Sequence, residues 1–469
     1  MRIYLTCIWT AVLLFAITFQ AMARVKLPAI FNDGMVLQQK ASVPVWGKAE
    51  SGQRVTVRGS WSEKKYSVVA DANGNWKVSV KTPGAGGPFE LYVNDGTELV
   101  IKDVLIGEVW LCSGQSNMNM SLNGYSKQPV HNADSIASHA DYPTIRYYRI
   151  SSAMSRTPED DCPAKWSRVD PSAVRSFSAV AYQFATLLDK QLHVPIGIIQ
   201  TAYGGTTVEA WMDSVTLSKV ADIPALKAKY LDTMDKKAPY LVFNAMIHPI
   251  IGYGIKGALW YQGESNKDRP EVYATWFTEM VKSWRKFWGQ GNFPFYYAQI
   301  SPYKYNGKHQ SAYLREAQVQ SLDLIPNSGM VITLDIGSNE FIHPPDKTTV
   351  AERFSYWALS KQYDVPGLAI MGPVYKKMKK DGNTIRLVFD HTGTGLTSFG
   401  KELKNFEIAG EDKVFYPASA IISGKNEIVV KSDSVAHPVA VRYGFKDWVV
   451  GDLFNIEGLP ASSFRTDAW

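Results

Sequence analysis

From about Asp103 to Gln362 the chain alternates apolar, β-rich runs with segments of helical period, and this alternation restricts the fold more than any other feature. The apolar runs predict strands over residues 104–112, 195–201, 255–261, 293–300 and 330–335. Helices are expected over 174–191, 270–288 and 312–324; the first carries Val174, Phe177, Val180, Ala181, Phe184, Leu187 and Leu188 as an i, i+3, i+4 stripe. Strands separated by helices build a parallel sheet flanked by those helices. Residues 121–167 show no clear period and read as loops over the sheet.

On either side the period changes to two. Residues 24–102 hold short alternating stretches such as Gln53-Arg-Val-Thr-Val-Arg58 and Trp76-Lys-Val-Ser-Val80, separated by glycine- and asparagine-rich turns. Many short strands at close spacing predict a small β-sandwich or jelly roll. Alternation returns from 363 to 469, in Thr384-Ile-Arg-Leu-Val-Phe389, Phe406-Glu-Ile408, Glu427-Ile-Val-Val430 and Ala440-Val-Arg-Tyr443, which predicts a β-rich C-terminal region. The expected organisation is therefore a 1–23 leader, a 24–102 β-domain, a 103–362 α/β domain and a 363–469 β-region. No repeat or low-complexity linker separates them, so one compact body is expected.

The leader sets the compartment. Arg2 precedes an apolar run from Ile8 to Phe19, which closes with the small-x-small pattern Ala21-Met22-Ala23. That run is shorter than the roughly 20 residues that cross a bilayer, so cleavage after Ala23 and export to the periplasm or beyond are expected, with no membrane span. Lys and Arg number 50 against 44 Asp and Glu, interspersed without a basic block, which argues against nucleic-acid binding. The 14 Trp suit sugar stacking, although aromatic core packing accounts for them equally well. Two cysteines remain after cleavage, Cys112 and Cys162; one disulfide and two buried thiols are both open, and neither cysteine has the partners of a metal site.

Sites in an open parallel sheet form beyond the carboxyl ends of its strands. Four of the five expected strands end in polar or glycine-rich motifs: Ser113-Gly-Gln-Ser-Asn117, Ala202-Tyr-Gly-Gly-Thr-Thr-Val-Glu-Ala-Trp211, Tyr261-Gln-Gly-Glu-Ser-Asn266 and Asp335-Ile-Gly-Ser-Asn-Glu-Phe-Ile-His343. Ester hydrolysis needs a hydroxyl on a tight turn, a base beside it and donors for the carbonyl oxygen as it becomes an anion. Ser116 fits the nucleophile, since Gly114 permits a sharp turn after an apolar strand. Its own N–H, Gly205 and the Gln262 amide are the candidate oxyanion donors. His343 is the candidate base, expected near its free pKa of about 6.5, on a loop stiffened by Pro344 and Pro345 with a helix starting near Asp346. Glu264 and Arg315 read as loop anchors, with a substrate contact open; Trp211 and Trp260 read as core residues, with sugar stacking the alternative.

These residues resemble a known family, the sialate O-acetylesterases within the SGNH/GDSL-type serine esterases. The resemblance rests on Asp33-Gly-Met-Val-Leu-Gln38, Gly107-Glu-Val-Trp-Leu-Cys-Ser-Gly-Gln-Ser-Asn-Met118, Trp260-Tyr-Gln-Gly-Glu-Ser-Asn266, Leu314-Arg-Glu-Ala-Gln318, Ile342-His-Pro344 with Asp346-Lys347, and Gly458-Leu-Pro-Ala-Ser-Ser-Phe-Arg465. It implies a three-layer α/β catalytic domain with helices on both faces of a parallel sheet, and no metal or organic cofactor. It further implies Ser116 as nucleophile, His343 as base, and an O-acetylated sugar as substrate, 9-O-acetyl sialic acid first. The Asp-x-x-His pattern frequent in the wider group is altered to Glu340-Phe-Ile-His343, so Glu340 first and Asp335 second compete to orient the imidazole, with a serine–histidine dyad helped by a backbone carbonyl the third alternative. An asparagine is a common oxyanion donor in the wider group, which adds Asn266 beside Gln262. Acetylated xylan or another polysaccharide remains an alternative substrate, and a non-catalytic carbohydrate-binding protein an alternative class.

Overall fold

The computed structural model describes residues 25–220, 234–305 and 311–469, so the expected leader lies outside the described residues. The N-terminal strands are β1 (Val36–Gln38), β2 (Ser42–Lys48), β3 (Arg54–Gly59), β4 (Tyr66–Val69), β5 (Asn75–Lys81) and β6 (Gly86–Asn94). In β2 and β3 every second residue is buried, as period-two alternation requires for a sheet with one wet face. β2 pairs with β5, and β3 lies between β4 and β6, all antiparallel.

The next strand joins two regions. β7 (Glu98–Gly114) is 17 residues long and fully buried from Val104 onward. Its first half pairs antiparallel with β6, and Leu105–Gly107 pair parallel with β1. Its second half is the middle strand of the parallel sheet, between β10 (Ile196–Ala202) and β11 (Gly257–Tyr261). The change at Asp103 seen in the sequence therefore falls inside a continuous strand: the partners change there, and the backbone runs on. Outside β11 lie β12 (Phe295–Ala298) and β13 (Ser328–Val331); outside β10 lie β8 (Tyr142–Arg149) and β9 (Trp166–Val169). Only the β8–β9 pair within this row is antiparallel. The fold is thus mixed α/β, with one large mixed sheet.

All five expected α/β strands are present, and the long helices among the described residues are Ala179–Leu192, Pro270–Trp288, Ser311–Leu324 and Lys347–Gln362. The first helix pairs with the last, and the two between pair with each other. One expectation needs correction: residues 121–167 are not all loop, because β8 lies within them. Its apolar pattern is masked by Arg146, a buried cation that is tolerated because Asp103 stands 3.3 Å away. The C-terminal strands form two four-stranded antiparallel sheets, one through residues 384–390 and 427–431, the other through 406–409 and 440–443. Cys112 and Cys162 are free and buried, so no disulfide joins them. Among the described residues no helix is long and apolar enough to cross a membrane.

Register positions the site. Gly114 stands opposite both Ala202 and Tyr261, and Tyr261 opposite Ala298. Four parallel strands therefore stop on one line, and the segments that follow them emerge along one edge.

Candidate active site

Ser116 sits two residues past the end of β7. Gly114 has φ +134°, and a β-carbon there would lie 2.3 Å from the Tyr261 carbonyl oxygen, so only glycine lets the chain turn this close to β11. The Gln115 N–H then donates to that carbonyl at 2.9 Å, fixing the turn. Ser116, half-buried, opens the short helix Ser116–Asn119. The loop after β10 comes against it: Tyr203 N–H donates to the Gly114 carbonyl at 3.0 Å, and a β-carbon on Gly204 would stand 3.3 Å from the Ser116 Cβ. Of the two adjacent glycines, Gly204 faces the serine. Gly205, the one singled out from sequence, has φ +80° and faces the Lys236 side chain instead.

His343 comes close to the same point from the loop after β13. Asn117 Nδ2 donates to the Ile342 carbonyl at 3.2 Å, so the residue after the serine is tied to the residue before the histidine. Tyr125 bridges the pair: its hydroxyl donates to the Ser116 carbonyl at 3.0 Å, and its ring centroid is 4.8 Å from that of His343. His343 Nδ1 lies 2.7 Å from Gln128 Oε1. An amide oxygen only accepts, so Nδ1 carries the proton and Nε2 is left free to take one. Gln128 is held by a tight turn in which it and Tyr125 exchange backbone hydrogen bonds at 2.9 Å. That turn was illegible in the sequence, since it lies 215 residues from the histidine in a segment without period.

Neither carboxylate expected to orient the imidazole lies against it. Asp335 forms a two-pronged ion pair with Arg353, at 2.8 and 2.7 Å, and both side chains are largely buried. Glu340 is exposed, and its backbone N–H meets only the Ser338 hydroxyl at 3.2 Å. The charge that acts on His343 is a cation. Burial first, and then Lys347, push the imidazole down from 6.5 to about 4, so the expectation of a base near its free value does not hold.

Lys347 itself is fully buried, and burial lowers it to about 7 against the opposing pull of Glu264 and Asp346. Its ammonium donates to Asn117 Oδ1 at 2.5 Å, while Asn117 Nδ2 donates to Glu264 Oε1 at 2.6 Å. Asn117 is thus clamped between a buried base and a buried acid, directly behind the serine. Glu264 is an anchor here, with its carboxyl raised by burial. Gln262 and Asn266 are likewise committed to the frame. The Gln262 amide donates to the Thr206 carbonyl at 3.1 Å and to Asn266 Oδ1 at 2.8 Å. Asn266 Nδ2 donates to Glu209 at 3.0 Å, and its Oδ1 accepts from Val208 N–H at 2.9 Å. Both brace the 203–209 loop; the Gln262 amide spends both of its N–H groups there, and Asn266 spends one on Glu209. Trp211 and Trp260 are wholly buried and packed edge to face, 5.7 Å apart.

Comparison with known proteins bears on the family. A family model described as carbohydrate esterase, sialic acid-specific acetylesterase, matches residues 106–351. The sialate O-acetylesterases of Mus musculus and Homo sapiens are 27% and 28% identical to this chain over 90% of its length, covering 90% and 88% of their own. A crystal structure of a carbohydrate acetylesterase from Xanthomonas citri is 35% identical, with a TM-score of 0.86 over 95% of this chain and all of that one. The chain is an esterase and belongs to the sialic acid-specific acetylesterase family of carbohydrate esterases.

Proposed function

We propose that this esterase removes O-acetyl groups from sialic acids, the 9-O-acetylated forms first, by a serine mechanism. The observation that carries the mechanism is the Asn117–Ile342 hydrogen bond, which ties the Ser116 turn to the His343 loop at the edge where the strands end. Ser116 Oγ attacks the acetyl carbonyl while His343 Nε2 accepts its proton. The carbonyl oxygen becomes an anion and takes hydrogen bonds from the Ser116 N–H and the Gly204–Gly205 loop. The sugar alkoxide then leaves with the proton held on His343. A water, deprotonated by the same nitrogen, releases acetate and restores the hydroxyl. Gln128 keeps the proton on Nδ1 throughout, without the charge that a carboxylate would add.

The three-layer SGNH arrangement belongs to this proposal, supported by the parallel row β13-β12-β11-β7-β10 and its two helix pairs. So does export, supported by the leader pattern of residues 1–23 and checked by N-terminal sequencing of the secreted product. The mechanism is tested with Ser116→Ala on 4-nitrophenyl acetate, where turnover should fall on the order of 10³-fold or more; equal activity would overturn it. The substrate is tested by acetate release from 9-O-acetylated sialic acid against acetylated xylan. Faster release from xylan would replace the sialate reading.

A further inference from the structure

The Gly204–Gly205 loop joins the nucleophile on one side to a cation on the other. A β-carbon on Gly205 would lie 2.8 Å from both Cε and Nζ of Lys236, so the glycine leaves room for that side chain. Through the two glycines, the ammonium lies at most roughly 13 Å from the Ser116 Cβ. It is held there by its own segment: Thr207 Oγ1 donates to the Lys237 carbonyl at 3.1 Å, and Tyr240 N–H to the Glu209 carbonyl at 3.1 Å. Lys236 is half-buried and rests 5.6 Å from the Tyr203 ring centroid, yet it has no carboxylate partner among the described residues.

The acids around it are already engaged. Asp235 accepts from the Lys237 N–H at 2.8 Å, and Glu209 is wholly buried and bound by Arg269 and Asn266. A half-buried ammonium with no carboxylate partner among the described residues, within roughly 13 Å of Ser116, is poised to receive an anion from the substrate. Sialic acids carry a carboxylate on the carbon at the far end from the nine-position hydroxyl, and the span from Ser116 to Lys236 is within reach of such a molecule.

We propose that Lys236, backed by Tyr203, forms a subsite for the substrate carboxylate, and that this subsite separates acidic acetylated sugars from neutral ones. The inference rests on the sialate reading above and adds the residue that recognises the acid. Lys236 touches no reacting atom, so its effect belongs in substrate binding.

The test compares 9-O-acetylated sialic acid with its C1 carboxamide, a sugar of the same shape without the charge, using the full chain. Wild type should favour the acid by about tenfold in kcat/KM, the scale of one charge-assisted hydrogen bond. Lys236→Met should collapse that ratio towards one, chiefly through KM of the acid, and Lys236→Arg should restore it. A merely structural role for Lys236 would change both substrates together and leave the ratio intact. If wild type discriminates and Lys236→Met discriminates equally, the subsite is wrong and the sialate reading stands. If wild type cleaves acid and carboxamide equally, the carboxylate subsite falls while the sialate reading survives. If it cleaves neither but releases acetate from xylan, both are overturned.

Discussion

At the scale of single residues, His343 Nδ1 meets a neutral amide, and in the serine mechanism proposed above that amide stands where a carboxylate often does. With Gln128 on Nδ1 and Lys347 nearby, His343 is pushed to about 4 and stays neutral across the whole physiological range. A base works only when unprotonated, so kcat/KM should be level down to about pH 5 and fall below about pH 4. Gln128→Glu would place a negative charge on Nδ1–H, favour the imidazolium and move the acid limb upward by about one unit or more. A wild-type limb near 6.5, or one that Gln128→Glu leaves in place, would contradict this geometry. The two carboxylates should behave differently from each other. Glu340→Gln, on an exposed side chain, should leave turnover and stability close to wild type, within about 0.5 kcal/mol for the latter. Asp335→Asn breaks a mostly buried pair and should lower stability by ~3 kcal/mol with little change in kcat of the folded fraction; denaturant melts and turnover on the same samples separate the two effects. The positions of Ser116 and His343 were legible because each follows a strand with a strong pattern. Gln128 was not: an amide in an unpatterned loop looks like any surface residue until the turn at Tyr125 brings it round.

At the scale of elements, the site depends on strand ends that meet in register. Gly114 is where the chain turns past the end of β11, and the side chain of an alanine there would collide with the Tyr261 carbonyl. Gly114→Ala should therefore push the Ser116 turn away from the β11 edge. Turnover should drop at least about 100-fold, the scale of a displacement of about 1 Å at a reacting group, while far-ultraviolet circular dichroism remains native-like. Wild-type kcat/KM in this variant would show that the turn tolerates the displacement. Strands β7, β10, β11, β12 and β13 could be read directly, because buried parallel strands are nearly continuous apolar runs. β8 could not, since Arg146 and Pro143 interrupt its pattern and its cation is paired with Asp103, which is distant in sequence. Gly204 and Gly205 were visible as a pair; which of them faces the serine depends on how the loop turns.

At the scale of the whole molecule, the C-terminal β-region is fastened to the α/β part through buried polar groups. Arg315, wholly buried on the helix Ser311–Leu324, donates to Ser463 Oγ at 3.0 Å, to the Gly444 carbonyl at 3.2 Å and to the Lys446 carbonyl at 2.5 Å. Gln299 just beyond β12 donates to Ser462 Oγ at 2.9 Å. Arg315→Met should strand these acceptors and cost roughly 3 kcal/mol or more; calorimetry would show a lower Tm, and an unchanged Tm would mean the anchor is idle. The sequence could show Arg315 as an anchor but not its partners, which lie 129 to 148 residues further along the chain.

The long strand β7 has a consequence for how this protein can be divided. Its first half supplies an edge to the N-terminal strands, and its second half is the spine of the parallel sheet that ends at Ser116. A truncation at residue 102 or 103 would leave β6 without its neighbour and remove the early part of the strand that leads to Ser116. The N-terminal strands are therefore no detachable appendage. A smaller fragment that keeps β7 with its neighbours β1 and β6 would have to begin before Val36.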